Sequence, residues 1–245
     1  MAQTLDGARS PMITAVVIAW AATLLQTLGY LLYVRGALRH RIDPNPTSWL
    51  MWAYGTALVV LIETDQGIHP LLRLLPIACA SCSVLVAALC WRQGALAWPR
   101  DRSDRAALSI DLALTAAYVT LSLAALAGTV PETREHSAKM LLLVCVSTSS
   151  ITSYLPILRS TRRTPTAEEW LPWAVWTSAY AALLLATILV EGTSPAALQF
   201  WIYPAICLIL SGMVGWYALK PRLSRHVVPV TPQPPGVEVS SRCAA

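Results

Sequence analysis

The sequence predicts an all-α integral membrane protein with seven transmembrane helices, arranged as two parallel three-helix bundles joined by a linker helix. Three observations lead to this prediction. Apolar residues make up 56% of the 245 residues and charged residues only 13%, whereas a soluble globular chain carries about 25% charged residues. The apolar runs are long enough to cross a bilayer, which takes roughly 20 residues. The third observation is an internal repeat that recurs after 124 residues.

Seven apolar runs account for the helices, and the second run is the shortest. In chain order they are Met12–Val34, Ser48–Ile62, Leu71–Trp91, Leu108–Ala127, Lys139–Leu158, Trp170–Val190 and Phe200–Leu219. The first run is longer than the apolar part of a signal peptide and lacks a small-residue cleavage site, so it is predicted to span the membrane. We predict a first three-helix repeat at 12–91, a linker helix at 107–128, a second repeat at 138–219 and a disordered, proline-rich tail at 221–245.

The two predicted repeats share a helix–basic loop–helix pattern. GYLLYVR (29–35) leads through a basic loop to SWLMW (48–52), and SYLPILR (153–159) leads through a basic loop to PWAVW (172–176). At an offset of 124 the matched residues are Tyr30 and Tyr154, Leu31 and Leu155, Arg35 and Arg159, Trp49 and Trp173, and Trp52 and Trp176. The alternative offset of 121 pairs Tyr33 with Tyr154 and Trp49 with Trp170. Such a repeat is typical of carriers and channels built from two halves.

The third helix of each repeat carries a related pattern at an offset of 128. Pro76, Cys79 and Ser83 match Pro204, Cys207 and Ser211. Three helices per repeat would give the two halves opposite orientations if they followed each other directly. The single helix between them restores the same orientation, which predicts a parallel repeat related by an axis along the membrane normal.

Basic residues are distributed unevenly between the two sides of the predicted topology. Fourteen of the 18 Lys and Arg residues fall in the loops after the first, third and fifth helices and in the C-terminal tail. The positive-inside rule therefore predicts a multi-pass protein of the cell membrane with its N-terminus outside and its C-terminus in the cytoplasm. Because this topology accounts for the net charge of +5, no nucleic-acid partner is predicted.

The predicted helices lack the residues that ionic or covalent chemistry requires. No Asp, Glu, Lys, Arg or His lies near the middle of any of them, where a charge costs about 2.5–3.5 kcal/mol to insert. This argues against proton coupling, charged substrates and a retinal-binding lysine. Cys79 and Cys82 have no His or second Cys pair nearby, so packing is favoured over metal binding. We therefore predict no enzymatic activity, no metal and no cofactor.

The arrangement of three, one and three helices resembles the SWEET/PQ-loop superfamily. The resemblance covers residues 12–219 and rests on this helix pattern, on a Tyr-x-Pro sequence ending at Pro156, and on paired Trp residues that open the second and sixth helices. In that family, prolines on the cytoplasmic side act as hinges. Pro156 and Pro172 stand at such positions here, whereas the first half has Leu32 and Ser48. The family's Pro-Gln dipeptide and the Asn pair of its sugar carriers are missing from the matching helices.

Candidate functional residues lie on all three helices of each repeat. An indole ring stacks well on the apolar face of a sugar or on a planar ring, and the resemblance places Trp residues of the second and sixth helices against the substrate. The predicted substrate-binding residues are Trp52, Trp176, Ser83, Ser211, Cys79 and Cys207, and the predicted gate or hinge residues are Tyr30, Tyr154, Pro156 and Pro172.

These regions also have purely structural interpretations. Trp49, Trp170 and Trp173 fit an aromatic belt at the lipid headgroups. The Ser and Cys pairs fit close helix packing. The hydroxyl-rich stretch 147–153 can supply the hydrogen bonds that Pro156 removes from its helix.

Two functions fit this sequence. The first is a facilitator, or uniporter, that moves a small neutral, sugar-like solute by alternating access between the two repeats. The second is a non-transporting receptor or assembly protein of the same fold, with the proline-rich tail docking a protein partner. Both place the protein in a lipid bilayer, and both leave the identity of the solute and the formation of a homo-oligomer open.

Overall fold

The computed structural model describes residues 3–93, 102–194 and 197–225, and within these ranges every regular element is helical. The side chains that it describes lie between Met12 and Leu223. The elements are α1 (Gln3–Leu38), α2 (Pro46–Asp65), α3 (Pro70–Arg92), α4 (Arg102–Leu126), α5 (Glu132–Arg163), a short 3-10 helix (Pro165–Ala167), α6 (Trp170–Glu191) and α7 (Leu198–Arg225).

Local sequence signals set several helix ends. The side chain of Asn45 accepts a hydrogen bond from the Ser48 N–H at 3.1 Å, and Pro46 begins α2, which is the usual place for proline in a helix. At its other end, α2 stops where Gly67 takes a positive φ of 67°. Two backbone hydrogen bonds, from Gly67 to the Thr64 carbonyl and from Ile68 to the Glu63 carbonyl, complete a Schellman cap.

Six of the seven described helices are long and apolar enough to cross a membrane, which confirms the prediction of an apolar all-helical protein. The exception is α2, with 20 residues. Its Ser, Thr, Trp and Tyr residues and the acidic pair near its end lower its mean hydropathy. Many large apolar side chains of these helices are exposed, among them Leu24, Leu31 and Leu85. The helices thus present apolar side chains outward, as contact with a lipid bilayer requires.

Several helices extend beyond the predicted apolar runs. α1 continues to Leu38, and α5 covers 32 residues from Glu132 to Arg163. Hydropathy detects only the part of a helix that fits the hydrocarbon layer, whereas the helix itself continues until its backbone is capped. α7 likewise runs through Pro221 to Arg225, so the first residues of the segment predicted to be disordered are helical. Residues 226–245 lie outside the described residues.

Contacts between loops show that α1 and α5 run in the same direction. The loop after α1 touches the loop after α5, where the Asp43 N–H donates to the Ala167 carbonyl at 2.9 Å. The C-terminal part of α7 reaches the same place, since Arg222 donates to the Glu168 carbonyl at 3.4 Å. We call this region, formed by the loops at 39–45 and 164–169 and the end of α7, the basic end.

The opposite end is marked by an ion-pair cluster. Lys139, near the start of α5, pairs with Asp65 at the end of α2 and lies 2.6 Å from Glu135. Lys139 is buried. The helices α2 and α5 therefore run antiparallel. The basic loops after α1 and α5 and the end of α7 do lie together, while residues 94–101 of the predicted basic loop after the third helix lie outside the described residues.

The helices pack as two similar groups. In the first trio (α1–α3), α3 contacts both α1 and α2; in the second trio (α5–α7), α7 contacts both α5 and α6. Between the trios, α1 packs on α6 and α2 packs on α5. The contacts correspond when the two trios are interchanged. The contacts of α3 with α1 and α2 match those of α7 with α5 and α6, and the contact of α1 with α6 matches that of α5 with α2. α4 packs chiefly against α5, outside this arrangement.

Candidate functional site

Seven aromatic side chains meet where the two trios face each other, near the basic end. Each trio contributes residues one helical turn apart, because side chains three positions apart share a face of a helix. We call this group the aromatic cluster; it consists of Tyr30 and Tyr33 of α1, Trp49 and Trp52 of α2, Tyr154 of α5, and Trp173 and Trp176 of α6.

The rings of the aromatic cluster pack in pairs that are related by the sequence repeat. The ring centroids of Tyr30 and Trp176 lie 5.0 Å apart. Their counterparts at the offset of 124, Tyr154 and Trp52, lie 4.8 Å apart. In both pairs a Tyr of the first helix of one trio meets a Trp of the second helix of the other trio, so each contact bridges the trios.

The tryptophan pairs are also related by the sequence repeat. Trp49 and Trp52 lie 4.7 Å apart, and Trp173 and Trp176 lie 4.9 Å apart. The crossed pairs, Trp49 with Trp176 and Trp52 with Trp173, are both separated by 5.9 Å. These equivalences hold at the offset of 124. At the offset of 121, Trp49 would correspond to Trp170, which makes no such ring contact among the described residues.

Two tryptophans that fit an aromatic belt are instead part of this interior cluster. Trp49 and Trp173 are each only 1% exposed, so the belt interpretation is wrong for them. The reason is tertiary: α2 and α6 begin at the basic end with these faces turned toward the opposite trio. Trp170, one turn before Trp173, is only partly buried.

The aromatic cluster encloses a small cavity. Seven of its lining residues were singled out in the sequence, namely Tyr30, Trp49, Trp52, Cys79, Tyr154, Trp173 and Trp176; the other two are Gln26 and Tyr180. The cavity volume is about 20 Å³, enough for about one water molecule. A binding pocket for a small organic molecule has a volume of roughly 300 Å³ or more. The described conformation is therefore closed.

Gln26 is a lining residue that sequence reasoning missed. Its amide Nε2 donates to the Tyr180 hydroxyl at 3.4 Å, while its Oε1 is buried without a hydrogen-bond partner in the described structure. The side chain is 2% exposed. A lone amide within the first apolar run was the available signal, because buried polar groups are usually hydrogen-bonded. Gln26 offers the cavity one free acceptor.

Trp176 is held flat against α1. Its indole N–H donates to the backbone carbonyl of Gln26 at 3.1 Å. A Cβ at Gly29 would lie 2.3 Å from the Trp176 Nε1, so only glycine leaves room for the indole there. Ser153, the counterpart of Gly29 at the offset of 124, is also small and buried. The small residue Gly29 therefore lets the tryptophan of the second trio approach α1 closely.

The structure separates the predicted pocket residues into two groups. Cys79 lines the cavity, and the Tyr30 hydroxyl donates to its carbonyl at 3.2 Å. Ser83 lies behind Tyr30, with its Oγ 2.7 Å from the Tyr30 hydroxyl. Ser211 bonds to the Cys207 carbonyl of its own helix and accepts from Thr177 at 3.5 Å. Ser83, Ser211 and Cys207 are buried within their own trios and do not line the cavity.

The predicted hinge prolines are buried near the basic end. Pro156 lies within α5, which continues through it, and Pro172 is in the first turn of α6. Neighbouring hydroxyls bond to their own helix: Ser149 and Thr152 donate to carbonyls three residues earlier, at 2.9 and 2.5 Å. Neither acceptor is the Thr152 carbonyl, from which Pro156 removes a backbone donor, so these two bonds do not repair the helix at the proline.

Glu168, like Gln26, is a residue of this region that the sequence analysis did not identify. This loop residue is 1% exposed. The Tyr33 hydroxyl donates to its Oε1 and the Trp173 indole N–H donates to its Oε2, both at 3.0 Å. Burial raises the pKa of Glu168 from 4.5 to about 8; the two hydrogen bonds oppose this rise in the pKa, and the nearby carboxylates of Asp43 and Glu169 add to it.

A second small cavity lies between the trios toward the opposite end. Repeat-related residues line it, including Pro76 and Pro204, which correspond at the offset of 128. Its polar lining includes Glu63 and Ser147, each of which has a buried oxygen without a partner among the described atoms. The volume is again about 20 Å³. The interface thus holds two narrow cavities, with the aromatic cluster closing the one at the basic end.

Comparison with protein-family models, with curated proteins and with solved structures finds no match for this chain. The functional interpretation therefore depends on the geometry of the interface between the trios and on the residues that line it.

Proposed function

We propose that this protein is a facilitator that carries a small neutral solute across a membrane by alternating access between two parallel three-helix repeats. The main support is the interface between the trios, where repeat-related aromatic residues surround one cavity and repeat-related residues line a second. Carrier proteins built from repeats hold their substrate at this kind of interface. The proposal places the chain as a divergent relative of the SWEET/PQ-loop superfamily, with α4 as the linker between repeats.

The lining of the aromatic cavity supports a neutral solute. Apart from the indole N–H groups, its polar groups are the Gln26 amide, three phenolic hydroxyls at Tyr30, Tyr154 and Tyr180, and the Cys79 thiol; none is a carboxyl, amine or guanidinium group. Indole and phenol rings form the remaining walls and fit the apolar face of a sugar or a planar ring. The free Gln26 oxygen would accept a hydrogen bond from a hydroxyl or N–H group of the solute.

Transport requires the described conformation to open. A cavity of about 20 Å³ must expand at least tenfold to admit a solute. Rocking of the second trio against the first would separate Tyr30 from Trp176 and Trp52 from Tyr154, because these pairs bridge the trios. The proposed hinges are Pro156, within α5 close to Tyr154, and Pro172, in the first turn of α6 before Trp176.

The proposed topology has all seven helices crossing the membrane with the basic end in the cytoplasm. The clustering of basic loops at one end supports this orientation through the positive-inside rule. Reporter fusions at the N-terminus and after α7 test it. Opposite sides for the two ends are expected, and the same side would overturn both the orientation and the parallel repeat.

The flux experiment compares two tryptophan variants in proteoliposomes. Labelled sugars, nucleosides and amino acids are screened with the unmodified protein, and the solute that is taken up is then tested with Trp176→Ala and with Trp216→Ala. Trp216 faces outward and is 54% exposed, so it is a matched control. Uptake should be lost in the first variant and kept in the second; equal uptake would remove Trp176 from the path.

The second candidate is a receptor or assembly protein of the same fold that moves no solute. The closed packing of the aromatic cluster favours it, because tight aromatic contacts stabilise a static interface as well as a gate. Flux of any screened solute above that of empty liposomes would exclude this alternative. Absence of flux across the whole screen, with correctly inserted protein, would exclude the facilitator.

A further inference from the structure

Glu168 stands apart from the symmetry of the two trios. At the offset of 124 its counterpart is Pro44, and the counterpart of its partner Tyr33 is Ile157. Neither of these residues can form the same contact, since neither side chain carries a hydrogen-bonding group. The carboxylate at Glu168 is therefore a single-copy feature added to a repeated aromatic cluster. Its burial in a loop calls for an explanation, because burying a carboxylate is costly unless it is well hydrogen-bonded.

The carboxyl group of Glu168 joins the two trios directly. Oε1 accepts from Tyr33 of α1, and Oε2 accepts from Trp173 of α6, both at 3.0 Å. The Trp49 indole N–H in turn donates to the Tyr33 hydroxyl at 3.2 Å, which extends the chain of hydrogen bonds to α2. The Glu168 side chain is thus part of a hydrogen-bonded chain that connects α1, α2 and α6.

The backbone around Glu168 is also fixed at the basic end. Arg222 of α7 donates to the Glu168 carbonyl at 3.4 Å, and the Asp43 N–H donates to the Ala167 carbonyl at 2.9 Å. Separating the trios at this end breaks the Tyr33 bond and the Asp43 bond together, because each crosses from the first trio to the loop before α6. It also exposes the carboxyl group to water.

We propose that Glu168 is a proton-controlled latch: its protonated carboxyl group holds the basic end closed, and loss of the proton favours opening. The proposal rests on the proposed function for the meaning of the opening, as the step that admits or releases solute. The movement itself is measurable without any solute.

The surroundings of Glu168 decide the direction of this control. The groups that face it are the Tyr33 hydroxyl from α1, the Asp43 carboxylate from the loop before α2 and the neighbouring Glu169, while Arg222 from α7 contacts only its backbone carbonyl. Two carboxylates and the buried environment disfavour a further negative charge. In the closed form the proton is therefore held to a pKa of about 8; in an open, hydrated form the pKa returns to about 4.3.

The hydrogen-bond geometry accommodates the protonated form. The Trp173 N–H can only donate, so Oε2 must remain an acceptor. The Tyr33 hydroxyl can both donate and accept, so the proton fits on Oε1, from which it donates to the Tyr33 oxygen. Both contacts of the carboxyl group are kept when it is neutral, with the Tyr33 bond reversed in direction, so that the Tyr33 O–H no longer donates to Oε1. Ionisation, in contrast, leaves a buried charge without a cationic side chain bonded to it.

The sign of the pH effect follows from linkage. Between about pH 4.5 and 8 the closed form binds one proton more than the open form, so a rise in pH shifts the equilibrium toward opening. The closed-to-open ratio is expected to fall up to about tenfold per pH unit within that window. Below the window the ratio is constant because both forms are protonated.

Hydrogen exchange in lipid nanodiscs tests the latch. Mass spectrometry follows the amides at 39–45 and 164–169 from pH 6 to 9, after correction for the intrinsic exchange rate. The amides at 127–129, just after α4 at the opposite end, serve as the internal reference. Protection at the basic end should fall at least tenfold across this range relative to the reference. An unchanged ratio in the unmodified protein would overturn the proposal and needs no variant.

Variants separate the carboxyl group from its position. Glu168→Gln keeps the shape and an acceptor but cannot ionise, so its protection should stay high at every pH. Glu168→Ala should be poorly protected at every pH, and Glu169→Gln, the matched control, should keep the pH response. The same pH response in Glu168→Gln as in the unmodified protein would overturn the assignment. Failure of the flux screen would leave this result intact, so the two proposals fail separately.

Discussion

Replacing Gly29 by Ala tests whether Trp176 is packed on α1. A Cβ at this position would lie 2.3 Å from the Trp176 Nε1 and 2.5 Å from its Cδ1, well inside van der Waals contact. The indole would have to move by about 1 Å, which would break its 3.1 Å hydrogen bond to the Gln26 carbonyl. Overpacking costs about 1–3 kcal/mol, and loss of a buried hydrogen bond about 1 kcal/mol more.

The matched control is Gly55→Ala in α2, because a Cβ at Gly55 meets no atom within 4 Å. Alanine is favoured over glycine inside a helix by about 1 kcal/mol, a gain that both variants share. Gly29→Ala should therefore lose about 1–3 kcal/mol net, a decrease in apparent Tm of about 3–9 °C, while Gly55→Ala should be unchanged or slightly more stable. The assay is thermal unfolding of both proteins in the same detergent. Equal Tm values for the two variants would refute the packing argument.

Three further predictions concern the hinge, the ion-pair cluster and the buried carboxyl. Pro156→Ala should raise the Tm and slow solute flux, since a helix-interior proline costs about 3 kcal/mol; unchanged flux kinetics would argue against a hinge. Lys139→Met should lower the free energy of unfolding by about 1–3 kcal/mol, since it leaves Asp65 and Glu135 without their cation, and the added change Asp65→Asn should recover part of the loss in chemical denaturation. The free energy of unfolding should fall between about pH 4.5 and 8, because the pKa of Glu168 is raised in the folded state and the unfolded chain then binds fewer protons; a Glu168→Gln variant with the same pH slope would contradict this.

The sequence predicted much of the aromatic cavity because a repeat carries paired information. Tyr30, Tyr154, Trp52 and Trp176 were identified by comparing two stretches of the same chain, and the structure brings all four to one cavity. The pairing worked because equivalent residues in a repeated interface must satisfy equivalent contacts. The comparison could not show that Ser83 and Ser211 lie outside the cavity lining. A repeat identifies equivalent positions, but it does not say which way their side chains point.

Residues that break the repeat were missed for the same reason. Gln26 corresponds to Ser150 and Glu168 to Pro44, so neither stands out in a comparison of the two halves. Glu168 also reads as one of two adjacent carboxylates in a charged loop, where exposure is the ordinary expectation. Its burial depends on Tyr33, 135 positions earlier in the chain. No local pattern contains that contact.

Composition and hydropathy alone determined that this chain is an apolar, all-helical protein suited to a bilayer, because the length of an apolar run must match the thickness of the hydrocarbon layer. Charge distribution likewise marked which loops would lie together. Only the tertiary structure decided which helix faces meet across the trios, that their aromatic rings leave room for about one water, and that a loop carboxyl is buried between the trios at the basic end. These features depend on contacts between residues more than a hundred positions apart, which side-chain packing specifies and local sequence does not.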